Sequence, residues 1–379
     1  MKADAMADRS TDDTALPTVP VLDVRDGGPV MHARRRAAQV AAVRAACLGW
    51  LPAGGLLAGV GDPVVRWWMR RSGSPYVADI EAIARAAPGR GTWFLHGAYL
   101  FGCTALADEG ADGPRLRRTL DWPFPGLGRL AEVAQQRGVA GSYFNVTWPG
   151  FAGVLTAMAP ARFAAVINQA PMRRLTDLSW LRGLDYAINP MRALMRSGRE
   201  PPEHVLRRAF ETCATFDEAR HLLQATPVAR PVLFTLIGTR PGEQVVIERE
   251  ETTARTIEDE TLVANAWHVE RRGWEPRVCG VGPPVENNRR RRAALAGWTG
   301  RDDQPFAWAQ PPVTNDFTRL TIEMCPATGV LRVAGWEADG KGAATRVTQV
   351  LTLGVRHSSD ASSVTDGDGT CLESRMPAA

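Results

Sequence analysis

Apolar and polar positions divide this chain into two textures. From residue 31 to 48 an Ala- and Arg-rich stretch places apolar residues at helical spacing, which predicts a helix. Ser74-Pro75 opens a second, with Val77, Ile80, Ile83 and Ala84 on one face. Up to Gly102 the pattern is mainly helical. After Cys103 short β-rich runs follow at 103–107, 115–121, 142–148, 153–158 and 162–168. Asp112-Gly113-Pro114, Trp148-Pro149-Gly150 and Ala159-Pro160 separate them, the spacing of an antiparallel meander. A helical stretch spans 201–224. Strands resume at 231–237, 244–249 and 261–265, with Pro241-Gly242 as a turn. A basic helix starts near Asn287, and strands 319–323 and 330–335 flank the turn Ala327-Thr328-Gly329. Strand runs broken by blocks of helix predict α+β layers. Residues 1–28 and 357–379 are polar and are expected to be disordered tails. The apolar stretch 47–61 is interrupted by Gly and Pro and is too short for a spanning helix. It reads as a buried turn or a small-residue packing segment.

Composition narrows the class. The chain has 379 residues, room for one large domain or two modest ones. Apolar content of 45% and charged content of 23% are those of an ordinary globular protein. A net charge of +4 is spread along the chain and leaves no nucleic-acid footprint. Lys occurs only at Lys2 and Lys341, an Arg bias that reads as a GC-rich bacterial coding sequence. The six cysteines are scattered without a CxxC pair, so neither a zinc site nor a redox pair is indicated. Gly59-Val60-Gly61 is no dinucleotide loop, since Val64 stands where the third Gly belongs. No metal and no cofactor are expected. The N-terminus carries acidic residues and no early apolar run, so the expected location is cytoplasmic.

The candidate chemistry centres on Gly102-Cys103, with Arg118 and Asp121 downstream. A cysteine among small apolar residues in a strand is more often a buried hydrophobe than a nucleophile. The preceding Gly102 shifts that balance. Glycine tolerates the backbone strain that lets a thiol attack the carbonyl before it. Cleavage between Gly102 and Cys103 would free an α-amine with a reference pKa near about 7.7, suited to a general base. Arg118 could hold the thiolate and lower its pKa, and Asp121 could orient the amine. Their spacing puts them on opposite strand faces, so one is expected to turn in near Trp122-Pro123. A surface Arg–Asp pair is the plainer alternative. Asn265, and less firmly Asn168, offer amide N–H donors for an oxyanion, or are strand-end residues. The run Arg289 to Arg292 reads as a solvated helix face. Trp122, Trp148, Phe151, Trp267 and Trp274 could line an acyl pocket or belong to the core.

Four ordered segments carry a family resemblance. They are Cys103-Thr104 with Arg118-Thr119-Leu120-Asp121-Trp122-Pro123-Phe124; 151–160 continuing to Asn168; Val263-Ala264-Asn265-Ala266-Trp267-His268; and Asn287-Asn288-Arg289-Arg290. The chain resembles the cysteine N-terminal-nucleophile (Ntn) hydrolases, in the branch holding acid ceramidase, N-acylethanolamine-hydrolysing acid amidase and the penicillin-side acyltransferases. The resemblance covers roughly residues 93–336. Thr119, Trp122, Gln169 and the Asn287-Asn288 pair depart from the family's usual residues, so lipid specificity does not follow. The resemblance implies an αββα sandwich and autoproteolysis that exposes Cys103. It makes 29–102 a helical segment released as an α chain and 103–356 the catalytic body. The two would remain as an α/β heterodimer. It also implies Arg289 as the inward-facing arginine. The expected activity is hydrolysis of a linear amide in a small N-acyl substrate through a Cys103 thioester, with no nucleic-acid partner and no membrane span. An acyltransferase using the same acyl-enzyme, or a non-catalytic Ntn-like binding protein, are the alternatives.

Overall fold

The computed structural model describes residues 15–98, 102–176, 178, 181–195, 198–279, 282–299 and 304–354. The C-terminal tail lies outside them. Chain order begins with strand β1 (Val21–Asp23) and helices α1 (Gly28–Arg35), α2 (Ala37–Trp50), α3 (Gly54–Arg71), α4 (Val77–Ala86) and α5 (Thr92–Gly97). The hairpin β2 (Gly102–Gly110) and β3 (Gly113–Asp121) follows. Then come β4 (Glu132–Gly138), β5 (Gly141–Thr147), β6 (Thr156–Ala159), β7 (Phe163–Gln169) and β8 (Met172–Arg173). Helices α6 (Arg182–Met195), α7 (Pro202–Thr212) and α8 (Phe216–Ala225) lead to β9 (Val232–Ile237), β10 (Gln244–Arg249), β11 (Ala254–Ile257), β12 (Leu262–Val263) and β13 (Trp274–Glu275). Helix α9 (Pro284–Ala296) precedes β14 (Thr318–Cys325), β15 (Val330–Ala338), β16 (Ala344–Arg346) and β17 (Leu351–Leu353).

Two sheets stack face to face. One has eight strands in the order β1-β4-β5-β6-β7-β9-β10-β11, and the other runs β12-β2-β3-β14-β15-β16, with β17 also on β15. All pairs are antiparallel except β1 with β4. Strands β2 and β3 face β7 and β9 across the interface. Their inward side chains, among them Ala105, Leu116, Leu120, Ile167, Phe234 and Leu236, form the main core. Residues of β7 and β9 are buried on both faces because α7 and α8 cover the outside. Helix α9 covers β2 and β12 on the far side. The result is the helix–sheet–sheet–helix layering that the resemblance implied.

Several elements differ from the expectation. Residues 15–28 are not a disordered tail: Val19 and Val24 are buried, and β1 docks as an edge strand on β4. Hydrogen bonding to the sheet outweighs the unfavourable composition there. The stretch 47–61 is not a turn; it ends α2 and begins α3. Its glycines permit close approach, since a Cβ on Gly54 would meet Leu48 O at 2.0 Å and one on Gly61 would meet Phe94 at 2.4 Å. The expected helix 201–224 is two helices. Thr215 caps the second by accepting from Glu218 N, while Glu218 Oε2 accepts from Ala214 N. Among the described residues no single helix is long and apolar enough to cross a membrane. The pair α2 and α3, bent by 112°, passes that test jointly by length and composition.

Candidate active site

The β2–β3 register assembles the site. Gly102 pairs with Asp121, Cys103 with Leu120 and Ala105 with Arg118. Side chains directly opposite in an antiparallel pair share a face, and successive residues alternate. Cys103 and Arg118 therefore point between the sheets, and Asp121 points to the outer face with Thr104. Neither Arg118 nor Asp121 breaks the strand alternation, contrary to the expectation from spacing. Both faces of the strand contribute.

On the inner face Arg118 Nη2 donates to Cys103 Sγ at 2.9 Å and to Ile167 O at 2.7 Å. Its Nη1 donates to Leu155 O and Thr156 Oγ1. The Cys103 thiol donates to Ile167 O at 3.6 Å. Both Cys103 and Arg118 are fully buried. Burial pushes the thiol pKa up; Arg118 and, more weakly, Arg291 pull it down without cancelling that effect. In the intact chain Cys103 is thus a protonated thiol beside a cation that would stabilise its anion.

On the outer face the Cys103 N–H donates to Asn265 Oδ1 at 2.9 Å. The Asn265 Nδ2 donates to Gln169 O at 2.9 Å, and Asn168 Nδ2 to Ala264 O at 3.0 Å, so the two amides lace the end of β7 to the 264–265 segment. Asn265 is committed first to positioning the nitrogen of Cys103. One Nδ2 hydrogen remains for the oxyanion role read from the sequence. Asp121 accepts from Thr318 Oγ1 at 2.8 Å. Its Oδ2 makes no hydrogen bond among the described residues, although buried. Burial raises its pKa; Arg291, Thr318, Asn315 and Cys279 draw it back.

The inward arginine is Arg291, not Arg289. Arg289 is exposed and pairs with Glu286 at 3.3 Å. Arg291 is fully buried and donates to Cys103 O at 2.7 Å and Thr104 Oγ1 at 2.9 Å. It also reaches Asn265 Oδ1 and Asn288 Oδ1, and stands 3.8 Å from Asp121. The reason is helical phase. Asn288, Arg291 and Leu295 fall on one face of α9 and are its buried residues. Counting back from Leu295 would have selected Arg291 in the sequence. Asn288 anchors the same face, accepting from Asn265 N at 2.6 Å. Cys279, absent from the sequence reading, is buried with its sulfur 3.4 Å from Asn265 Oδ1.

Three of the five aromatic pocket candidates come together. Trp122, Trp148 and Phe151 line an apolar cleft with Val40, Cys47 and Leu95 of the N-terminal helices. The Trp122 and Trp148 rings meet edge to face at 5.1 Å, and Phe151 stacks on His96 at 5.7 Å. Buried His96 bonds Thr92 O and accepts from Ala152 N; burial lowers its pKa, so it is a neutral wall. Burial also pushes the Cys47 thiol up to about 12. The cleft reaches Trp122, the neighbour in sequence of Asp121, and Ala98, four residues before Gly102. Trp267 is elsewhere. It packs with Ala170, Leu233 and Trp274 in a separate small cluster.

No family model matches the chain. Curated sequences do match. Over 238 residues the chain is 26% identical to the N-acylethanolamine-hydrolyzing acid amidase of Cavia porcellus, an alignment taking in 60% of this chain and 62% of that protein. It is 25% identical over 151 residues to the Mus musculus protein of the same name, covering 39% of this chain and 38% of that one. The chain is similar in sequence to these two acid amidases. It spans less than two thirds of the length of either curated relative. Among solved structures, the Caenorhabditis elegans N-acylethanolamine-hydrolyzing acid amidase ortholog aligns at a TM-score of 0.44 and 18% identity, over 59% of this chain and 93% of that one. The likeness to the acid amidases agrees with the resemblance carried by the ordered motifs of the sequence.

Proposed function

We propose that this chain is a self-processing cysteine amidase that hydrolyses a linear amide of an N-acyl substrate. One observation carries the reading: the Cys103 sulfur is held by a buried guanidinium while the nitrogen of the same residue is held by a buried Asn amide. A structural cysteine needs neither.

In the processing step Cys103 Sγ adds to the Gly102 carbonyl carbon, and the thiol proton passes to the Cys103 nitrogen. The C–N bond breaks and leaves a thioester. Water then cleaves the thioester into a Gly102 carboxylate and a free thiol. The new α-amine would sit on Asn265 Oδ1 and beside the buried Asp121 Oδ2, whose register opposite Gly102 suits it to receive an amine. In turnover the amine takes the thiol proton, Arg118 balances the thiolate, and the amine returns the proton to the leaving group. The second Nδ2 hydrogen of Asn265 serves the oxyanion. The apolar cleft takes the acyl chain. The N-terminal fragment stays bound after cleavage, because β1 is a strand of the larger sheet and α2 and α5 wall the cleft.

Intact mass of the purified protein and turnover of an N-acyl aminocoumarin series test this. Two fragments, the larger beginning at Cys103, with amine release that Cys103→Ala abolishes, are the expected results. A cut elsewhere, or cleavage of the alanine variant, overturns it. Added amines that capture the acyl group in preference to water would make the protein an acyltransferase.

A further inference from the structure

Gly102 sits in a slot that leaves no room for a side chain. A Cβ built on it would lie 1.5 Å from Cys279 Sγ and 3.3 Å from Asn265 Oδ1. No contact at 1.5 Å survives without movement of the sulfur, and the backbone that carries it is held in place. Cys279 is buried, and its backbone is clamped by Asn287, whose Nδ2 donates to Cys279 O at 2.7 Å and whose Oδ1 accepts from Cys279 N at 3.4 Å. Asn287 Oδ1 in turn accepts from Arg291 Nε at 3.1 Å. The Cys279 thiol donates to Asn265 Oδ1 at 3.4 Å, the same oxygen that accepts from the nitrogen of Cys103. Cys279 thus touches both sides of one peptide bond: the Cα of Gly102 directly, and the nitrogen of Cys103 through a shared acceptor.

We propose that Cys279 is a positioning residue for self-cleavage, packing its sulfur on Gly102 so that the Gly102–Cys103 peptide is held against Asn265 and residue 102 is restricted to glycine. The inference rests on the self-cleavage proposed above. Cys279 forms and breaks no bond in that step. Burial raises its pKa well above that of a free thiol, so it does not compete with Cys103 as a nucleophile. Its part is to fix where the carbonyl carbon lies relative to Cys103 Sγ, a geometry to which reaction rates are steeply sensitive.

A double-mutant cycle on Gly102→Ala and Cys279→Gly tests this. Cleavage is followed by intact mass. Gly102→Ala is expected to slow it by about tenfold or more, and the double variant to recover to within about threefold of wild type, since the added methyl then occupies the vacated space. The same cycle in the uncleavable Cys103→Ala background reads thermal unfolding. There Gly102→Ala is expected to lower Tm by about 3 °C or more, and Cys279→Gly to remove most of that loss. Wild-type cleavage rates in Gly102→Ala, no rescue in the double variant, or additive Tm changes would overturn the role of Cys279 while leaving self-cleavage standing. A wild-type chain that stays whole while the two substitutions still couple in Tm would overturn self-cleavage, and the positioning role with it.

Discussion

On the inner face of the β2–β3 hairpin one guanidinium, Arg118, faces one thiol, and its other acceptors are two backbone carbonyls and the Thr156 hydroxyl. Among the described residues it has no carboxylate partner. On the outer face Arg291, Asp121, Asn265, Asn288 and Thr318 form a network in which cation and carboxylate stand 3.8 Å apart and both are fully buried. The two faces hold similar groups to different ends. A buried cation without a carboxylate favours whatever anion forms beside it, which here is the thiolate. A buried cation shared between a carboxylate and amide oxygens holds position instead, because each partner is fixed by the others. The inner face favours an anion at sulfur, and the outer face holds the nitrogen of Cys103 in place.

The largest effect tests the inner face alone. Cys103→Ala is expected to remain one chain and to lose activity by on the order of 10⁴ or more, checked by intact mass and amine release. Loss of the outer face should be smaller but still severe. Asn265→Ala is expected to lower kcat by about 10²–10³, and near-wild-type turnover would remove Asn265 from both the positioning and the oxyanion roles. Within α9 the comparison sharpens to two arginines. Arg291→Ala leaves a buried carboxylate unpaired and is expected to destabilise by about 3–5 kcal/mol in denaturant titration. Arg289→Ala, on the exposed side of the helix, should stay within about 0.5 kcal/mol. Equal effects would break the assignment of Arg291.

A pH titration separates the faces in another way. Burial raises the Cys103 pKa and Arg118 lowers it. The thiolate fraction of the uncleaved chain is therefore expected to keep rising through pH 9, the ordinary thiol range, without levelling below it. Arg118→Gln removes the lowering influence, so its curve should move to higher pH. Thiolate absorbance of chain collected before cleavage, less that of Cys103→Ala, measures this, and movement to lower pH would refute the cation's role. The smallest effect concerns the cleft. Each buried CH₂ contributes roughly 0.8 kcal/mol, so two added acyl carbons should raise kcat/KM by about tenfold until the cleft is filled. Phe151→Ala should flatten that profile, and a flat profile in the wild type would take the acyl chain out of the cleft.

The β2–β3 hairpin, strands β5 to β7, β9, β10, β14 and β15, and Cys103, Arg118, Asp121 and Asn265 as one group were legible in the chain itself, while β4, α6 and β11 were not. Turn residues and strand runs are local signals, and the ordered motifs tied the four residues together. Helix α3 was not legible, because Gly and Pro weaken every local helix signal while close approach to Leu48 and Phe94 rewards them. The tertiary structure alone decided which arginine turns inward, which cysteine packs against Gly102 and which aromatics share the cleft. Arg291 meets Cys103 across 188 residues of chain and Asn265 meets it across 162. Periodicity reports the face a residue occupies on its own element. Which faces then meet depends on how two sheets and their covering helices stack, and that is settled by the burial of side chains far apart in sequence.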